Sequence, residues 1–296
     1  MRKTEISDQL ADLKYKRHYR GLREEAKKEY KELLNQEPNE DIRAEIYRNL
    51  AKIARDENDY EGAKDLIKTG LRLENIRKMT EDMLTLSLAE LYDFRLRDSH
   101  EAIKLYLTLQ EGRLYPNIKA KIGLGNARYT DRSHHEQYYW YREALDLLGG
   151  YGNIELRAQA LIGLGNARYT DRDHQSNIDW YREALDLLGG HGNIELRAQA
   201  LIGLGNARYT NRDHQSNADW YREALDLLGD HGNIELRAQA LIGLGNARYT
   251  DRYHSRNYWY QEALKLLGDH GDIGLRAQAL IGLGNARYTD RSHHEQ

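Results

Sequence analysis

Apolar residues recur along much of the chain at the three- and four-residue spacing that is typical of amphipathic helices. The clearest example predicts one helix over residues 154–169 and a second over residues 176–188. A polar turn separates them. Gly189 and Asn193 follow the second helix, where glycine can end a helix and asparagine can cap the next one. The apolar positions are Leu156, Ala160, Leu161, Leu164 and Ala167 in the first helix and Trp180, Tyr181, Ala184, Leu185 and Leu188 in the second. The pattern therefore predicts a helix pair.

This helix pair is repeated along the chain. The string IGLGNARYT begins at residues 122, 162, 202, 242 and 281, so its spacing is 40, 40, 40 and 39 residues. Residues 160–199 and 200–239 differ at only three positions. A single helix pair cannot bury its apolar stripe alone, whereas stacked pairs can, so the repeats predict an all-α solenoid. Their near-identity indicates recent duplication or deliberate construction.

Two glycines lie inside each predicted first helix. In one copy they are Gly163 and Gly165. A glycine within a helix costs about 1 kcal/mol relative to alanine. Their recurrence indicates a compensating role in packing, and we predict that neighbouring helix backbones approach each other closely at these positions.

The repeat resembles the tetratricopeptide repeat (TPR) family. The residues that match the family's spacing are Leu161, Leu164, Gly165, Tyr181 and Ala184. The period resembles the longer-helix variants of the family rather than its usual length of about 34 residues. Arg168, His174 and Asn177 depart from the family pattern, which usually has tyrosine, another aromatic residue and a small alanine there. The resemblance implies a right-handed superhelix of antiparallel helix pairs.

The resemblance extends, more weakly, into the polar N-terminal third. We predict about three diverged TPR-like units over residues 1–118, four near-identical repeats over residues 119–278, and a lone C-terminal helix over residues 279–296. The residues of the first unit that follow the family pattern are Leu10, Leu13, Gly21, Ala26, Tyr30 and Pro38.

Composition supports an all-helical chain and excludes several function classes. There is no valine and there are only two prolines, and a chain without valine is poor in the β-branched residues that strands favour. The net charge of −3 argues against a nucleic-acid binder and against attraction to anionic membranes. There is no cysteine and no apolar run long enough to span a bilayer, and the N-terminal segment lacks the apolar core of a secretory signal. We expect a cytoplasmic protein.

The sequence offers only weak candidates for catalytic and metal-binding sites. His134 and His135 are adjacent, and neighbouring helical residues point apart, so the pair makes a poor chelate and no zinc motif accompanies it. The string GLGNA lacks the spacing of a phosphate-binding loop. Carboxylates such as Glu183 recur in every unit, whereas a catalytic site requires one distinctive pocket. We predict no enzymatic activity, no metal and no cofactor.

The strongest candidate site is a repeated surface. In the TPR family the first helix of each unit lines the concave face and presents there the residue after Leu-Gly and residues one turn later. In this chain the resemblance assigns to that face Asn126, Asn166, Asn206, Asn246 and Asn285, Tyr129, Tyr169, Tyr209, Tyr249 and Tyr288, and the neighbouring Thr130, Thr170, Thr210 and Thr250. Asparagine can pair with a peptide backbone, and tyrosine is a rigid amphipathic contact surface. We predict a scaffold that binds a peptide or protein partner. That these are ordinary scaffold surface residues remains an alternative.

A second functional hypothesis is self-assembly. The C-terminal helix keeps the apolar residues of the interior copies at Leu280, Ile281, Leu283 and Ala286. A terminal cap normally has a polar outer face. We therefore predict self-association through this helix. A two-fold dimer is favoured over a filament, because the polar N-terminal helix is a poor complement for head-to-tail growth.

Overall fold

A computed structural model of the chain describes residues 9–13, 15–16, 22–36, 38–127, 134–150, 152–167, 177–207, 217–247, 256–269 and 271–292, without the side chains of residues 134–135 and 287–292. The structure is 82% helical, and the described residues contain no strand. The predicted all-α fold of tandem helices is confirmed. The chain divides into two compact units, residues 1–132 and 133–296.

In the first unit, the residues that the structure describes form a helical segment at 9–13, six α-helices and one π-helical turn. The helices are α1 Arg23–Leu34, α2 Glu40–Asp56, α3 Tyr60–Leu71, α4 Lys78–Leu91, α5 Ser99–Thr108 and α6 Leu114–Asn126, and the π-helical turn Tyr92–Leu96 follows α4. Successive helices pack against each other. Leu10, Leu13, Ala26 and Tyr30 are buried in one cluster, so the apolar residues that carried the TPR resemblance here share a core.

The described residues of the second unit form eight helices, most of them in near-identical pairs. They are α7 His134–Leu148, α8 Ile154–Asn166, α9 Asn177–Leu188, α10 Ile194–Asn206, α11 Asn217–Leu228, α12 Ile234–Asn246, α13 Arg256–Leu267 and α14 Ile273–Ser292. The first helices of the pairs, α8, α10, α12 and α14, also pack against one another. They therefore form one layer. Each of the second helices α9, α11 and α13 packs against the first helices that precede and follow it in the chain.

Predicted capping residues define the boundaries of these helices. The backbone N–H of Leu196 donates to Oδ1 of Asn193 over 3.1 Å, and this satisfies one of the unpaired donors at the start of α10. Gly189 ends α9 with a φ of +56°, a conformation that costs glycine little. Both predictions are confirmed.

The helix glycines have a different role from the predicted one. Gly165 of α8 and Gly203 of α10 both contact the ring of Tyr181, which lies on the intervening helix α9. A Cβ atom at Gly165 would lie 2.6 Å from Cζ of that ring. The prediction of close backbone approach was therefore wrong in detail, because the glycines make room for a tyrosine ring between consecutive pairs.

The first helices are also shorter than predicted. The apolar pattern predicted a helix to residue 169, but α8 ends at Asn166, where the N–H of Ala167 bonds to the carbonyl of Gly163 over 2.9 Å. The same nine residues, IGLGNARYT, are helical throughout in α14, which runs to Ser292. Local sequence alone therefore does not determine where these helices end.

Candidate peptide-binding face

One face of each first helix is formed by four residues at helical spacing. In α10 they are Glu195, Gln199, Ile202 and Asn206, at relative positions i, i+4, i+7 and i+11. The corresponding residues are Glu155, Gln159, Ile162 and Asn166 in α8 and Glu235, Gln239, Ile242 and Asn246 in α12. These twelve residues are called the inner face below. The isoleucines are buried, whereas the glutamates and asparagines are exposed.

Each asparagine of the inner face accepts a hydrogen bond from a tyrosine of the following second helix. The hydroxyl group of Tyr181 donates to Oδ1 of Asn166 over 2.8 Å. The same bond joins Tyr221 to Asn206 over 2.8 Å and Tyr260 to Asn246 over 2.7 Å. No hydrogen bond of the three Nδ2 groups is seen to a residue that the structure describes. Each amide therefore has its oxygen engaged and can direct its N–H donors outward.

A pocket of about 300 Å³ opens on the inner face across three consecutive first helices. Asn166 comes from α8, Gln199 and Asn206 come from α10, and Glu235 and Gln239 come from α12. Ile202, Gly203, Asn233 and Leu236 complete the lining. The site therefore offers mainly amide groups, with one carboxylate and an apolar floor.

The structure places the predicted site residues unequally. Asn166 and Asn206 line the same pocket, and Asn246 holds the equivalent place in α12. Asn126 is exposed at the end of α6 in the first unit, and Asn285 is exposed in α14. The remaining predicted residues, Tyr129, Tyr169, Tyr209, Tyr249, Thr130, Thr170, Thr210 and Thr250, lie outside the described residues, as does the side chain of Tyr288. Their part in the site stays a prediction.

Sequence reasoning missed the glutamines and glutamates of the inner face. Gln199 lies seven residues before Asn206, and Glu195 lies eleven residues before it, so both fall on the face of that asparagine. The signal was present in the helical period. The TPR resemblance points to the residue after Leu-Gly and to residues C-terminal of it, whereas Gln199 and Glu195 lie on the N-terminal side.

The inner face carries acidic side chains, and buried tyrosines lie behind it. Glu155, Glu195 and Glu235 lie in the first turn of their helices, where the helix dipole stabilises a negative charge. No ion pair of these carboxylates with another described residue is seen. Behind the face, burial raises the pKa of Tyr221 to about 12, and it also raises the pKa of Tyr260. Both hydroxyl groups therefore stay protonated donors at neutral pH.

The described residues contain no cluster of three or more His, Asp or Glu side chains that could hold a metal ion. The adjacent histidines at 134–135 and 293–294 have side chains outside the described part. None of the described helices is sufficiently long and apolar to cross a membrane.

A comparison with known protein families finds one match. The family model for the tetratricopeptide repeat matches residues 187–231, from the end of α9 into the loop after α11. This segment therefore matches a tetratricopeptide repeat. The neighbouring helix pairs have nearly the same sequence, so the second unit is a tandem array of TPR-like helix pairs. The resemblance inferred from the sequence is confirmed. No curated protein matches the chain.

The four residues predicted to mediate self-association divide into two groups. Leu280 and Ile281 are exposed on α14, by 55% and 64%. Ala286 is buried in the last core cluster, and Leu283 packs against that cluster. Leu280 and Ile281 are therefore the most exposed of the four residues, whereas Leu283 is partly buried. Self-association itself stays a prediction.

Proposed function

We propose that the protein is a non-enzymatic scaffold whose inner face binds an extended peptide segment of a partner protein. The observation that carries this proposal is the pocket across α8, α10 and α12, which brings Asn166 and Asn206 together with Gln199 and Gln239. TPR arrays in general are protein-interaction scaffolds, which supports a protein partner.

The chemistry of the face suits a polypeptide backbone. An extended peptide presents carbonyl acceptors and N–H donors along its length, and it needs partners for both. The asparagine Nδ2 groups supply donors, and the glutamine side chains supply donors and acceptors. Because the tyrosine hydroxyl holds each asparagine oxygen, the amides are preorganised, which lowers the entropy lost on binding.

The charge of the face selects among peptides. Glu155, Glu195 and Glu235 repeat once per helix pair without an ion-pair partner among the described residues. A basic side chain of the ligand would complement each carboxylate, and electrostatic complementarity of this kind contributes mainly to specificity and association rate. We propose that the bound segment carries lysine or arginine.

The test starts from a displayed library of random twelve-residue peptides selected on the purified 296-residue chain. Selected peptides are then measured against a triple variant, Asn166→Asp, Asn206→Asp and Asn246→Asp. Aspartate keeps the oxygen that accepts from tyrosine and removes the outward N–H donors. The selected peptides should carry lysine or arginine. Because each lost hydrogen bond is worth roughly 0.5–1.5 kcal/mol, their affinity should fall about ten-fold to a thousand-fold when it is measured at high salt, where the added charges are screened.

A matched control adds the same charges elsewhere on the same helices. Ile154, Ile194 and Ile234 are 53%, 52% and 53% exposed at the starts of α8, α10 and α12, and they do not line the pocket. Their triple replacement by aspartate should leave peptide affinity unchanged. Unchanged binding in the asparagine variant, or equal loss in both, would show that the ligand lies elsewhere.

A further inference from the structure

The polar groups of the inner face form three rows that run across α8, α10 and α12. Each of these helices contributes one glutamate, one glutamine and one asparagine at equivalent positions. The rise of an α-helix places Gln199 of α10 about 6 Å along the axis from Glu195 and about 10.5 Å from Asn206. The glutamine row therefore lies between a carboxylate row and an amide row, and the buried Ile202 lies between Gln199 and Asn206.

Each row repeats at the spacing of the first helices. Helices α8, α10 and α12 pack directly against one another, and packed helices have axes about 8–10 Å apart. The bonds from the tyrosine hydroxyls to Asn166, Asn206 and Asn246 measure 2.8, 2.8 and 2.7 Å, so each amide is held in the same way. The inner face therefore presents equivalent groups at intervals of about 8–10 Å.

Only one regular peptide conformation fits both this interval and the amide row. A polyproline II (PPII) helix returns to the same side after three residues and about 9.3 Å, and its carbonyl groups have no internal hydrogen bonds. A β-strand returns to the same side after two residues and about 6.6 Å, which is shorter than the interval. An α-helix bonds its own carbonyl groups and would leave the asparagine donors without acceptors.

We propose that the inner face binds a PPII segment in register with the repeats, at three residues of the ligand per helix pair. One residue of each triplet is lysine or arginine and pairs with Glu155, Glu195 or Glu235. The partner is therefore a proline-rich protein segment with a basic residue at every third position. This inference rests on the proposed function and specifies the class of segment that the face selects.

The surroundings of the three rows fit the three sides of a PPII helix. On one side, the glutamates have no ion pair with a described residue and complement basic side chains. On the second side, Ile202 and Leu236 give the pocket an apolar floor against which proline rings can pack. On the third side, the Nδ2 groups of Asn166 and Asn206 can donate to carbonyl groups of the ligand. Proline has no N–H group, so it leaves no backbone donor unpaired in the groove.

The probes are two fluorescein-labelled peptides of identical composition, with three lysines and nine prolines each. The first consists of Lys-Pro-Pro three times followed by three prolines, and the second consists of Lys-Pro-Pro-Pro three times. Both favour the PPII conformation, but only the first places its lysines on one side of the helix, because the second turns each lysine to a different side. Net charge and conformation are therefore matched, and the spacing of lysine is the variable.

Fluorescence anisotropy measures the affinity of each peptide for the 296-residue chain at about 0.15 M salt, where distant charges are largely screened. The first peptide should bind at least about ten-fold more tightly than the second, because it alone can bring one lysine to each glutamate. Peptides selected from the random library should likewise show basic residues at a period of three.

Two triple variants of the protein locate the effect. The first removes the carboxylates of the inner face through Glu155→Gln, Glu195→Gln and Glu235→Gln, and it should abolish the preference for the first peptide. The control removes three exposed carboxylates of the second helices, which repeat at the same period and do not line the pocket, through Asp146→Asn, Asp186→Asn and Asp226→Asn. The control should keep the preference, and circular dichroism should show both variants folded.

The outcomes distinguish this inference from the proposed function. Equal affinity for the two peptides, a preference that survives the glutamine variant, or a preference lost equally in the control would each overturn the PPII register. A period of two, four or seven among the basic residues of selected peptides would also overturn it. If those peptides still lost affinity in the asparagine variant, the proposed function would stand without the register. If no library peptide depended on the asparagines, the proposed function and the register would both fail.

Discussion

The hydroxyl group of Tyr181 donates a hydrogen bond to Oδ1 of Asn166 over 2.8 Å, and this bond connects the interior of the array to its exposed inner face. The ring of the same tyrosine lies between Gly165 and Gly203, which belong to consecutive helix pairs. One side chain therefore spaces two pairs and orients a candidate ligand-binding amide. Packing between repeats and the geometry of the site are coupled through it.

We predict that Tyr181→Phe lowers the free energy of unfolding by about 0.5–1.5 kcal/mol, because it removes this bond and keeps the ring. Urea unfolding followed by circular dichroism measures the change. The matched control is Tyr115→Phe, at a tyrosine that is 43% exposed and whose hydroxyl makes no hydrogen bond that the described residues show. Equal stability of the two variants would mean that the bond to Asn166 contributes nothing.

We predict different effects for one substitution at two equivalent glycines. Gly165→Ala places a Cβ atom against the ring of Tyr181, whereas Gly284→Ala meets no described atom within 4 Å. Both replacements gain about 1 kcal/mol of helix propensity, but overpacking costs about 1–3 kcal/mol at the first site only. Gly284→Ala should therefore raise the melting temperature, and Gly165→Ala should leave a protein about 1–3 kcal/mol less stable than Gly284→Ala. Identical melting curves for the two variants would contradict the ring contact.

The fold could be predicted from the sequence to the extent that it depends on local signals. The helix pair, the cap at Asn193 and the glycine at 189 follow from spacing and from residue chemistry. The end of each first helix could not be predicted. The same nine residues, IGLGNARYT, occur in both helices, but α8 ends at Asn166 and α14 runs to Ser292. The end of the helix therefore depends on the tertiary surroundings rather than on the nine residues themselves.

The sequence predicts only part of the candidate site, because the rest of the site also depends on tertiary contacts. The helical period places Asn206 and Gln199 on one face, but it does not say which neighbour lies behind that face. The sequence predicts backbone approach at the glycines, because a missing side chain does not reveal what fills its space. The contact of Gly165 with the ring of Tyr181 appears only when three helices are assembled.

We predict that alkaline pH destabilises the array through its buried tyrosines. Burial raises the pKa of Tyr221 in the folded protein to about 12, whereas an unfolded tyrosine titrates near pH 10. Between these values the unfolded chain loses protons that the folded chain keeps, so stability falls as pH rises. The contribution is present below about pH 10 and is lost by about pH 12, with a total of roughly 2–3 kcal/mol for this residue.

The measurement is the free energy of unfolding in urea at steps of pH between about 9 and 12. Tyr221→Phe keeps the ring and removes the ionisable group, so its stability should fall less steeply than that of the unmodified protein over this range. A common slope for both proteins would show that the ionisation of Tyr221 does not contribute to the alkaline loss.

We predict that deletion of residues 160–199 leaves a folded protein with lower stability. The deletion joins Gln159 to Ala200, which is the counterpart of Ala160, so the remaining array keeps its register. Each pair contacts mainly its neighbours, and stability in such arrays is approximately a sum of repeat and interface contributions. The shortened protein should keep its fractional helicity and melt at a lower temperature. A matched deletion of residues 170–199, which removes 30 residues and breaks the 40-residue period, should lose helicity because it removes Tyr181, whose ring Gly165 and Gly203 both contact, and leaves no tyrosine in register to replace it. If the in-register deletion also unfolded the chain, the repeats would not be modular, and the ring contacts between neighbouring pairs would not be sufficient to hold the array together.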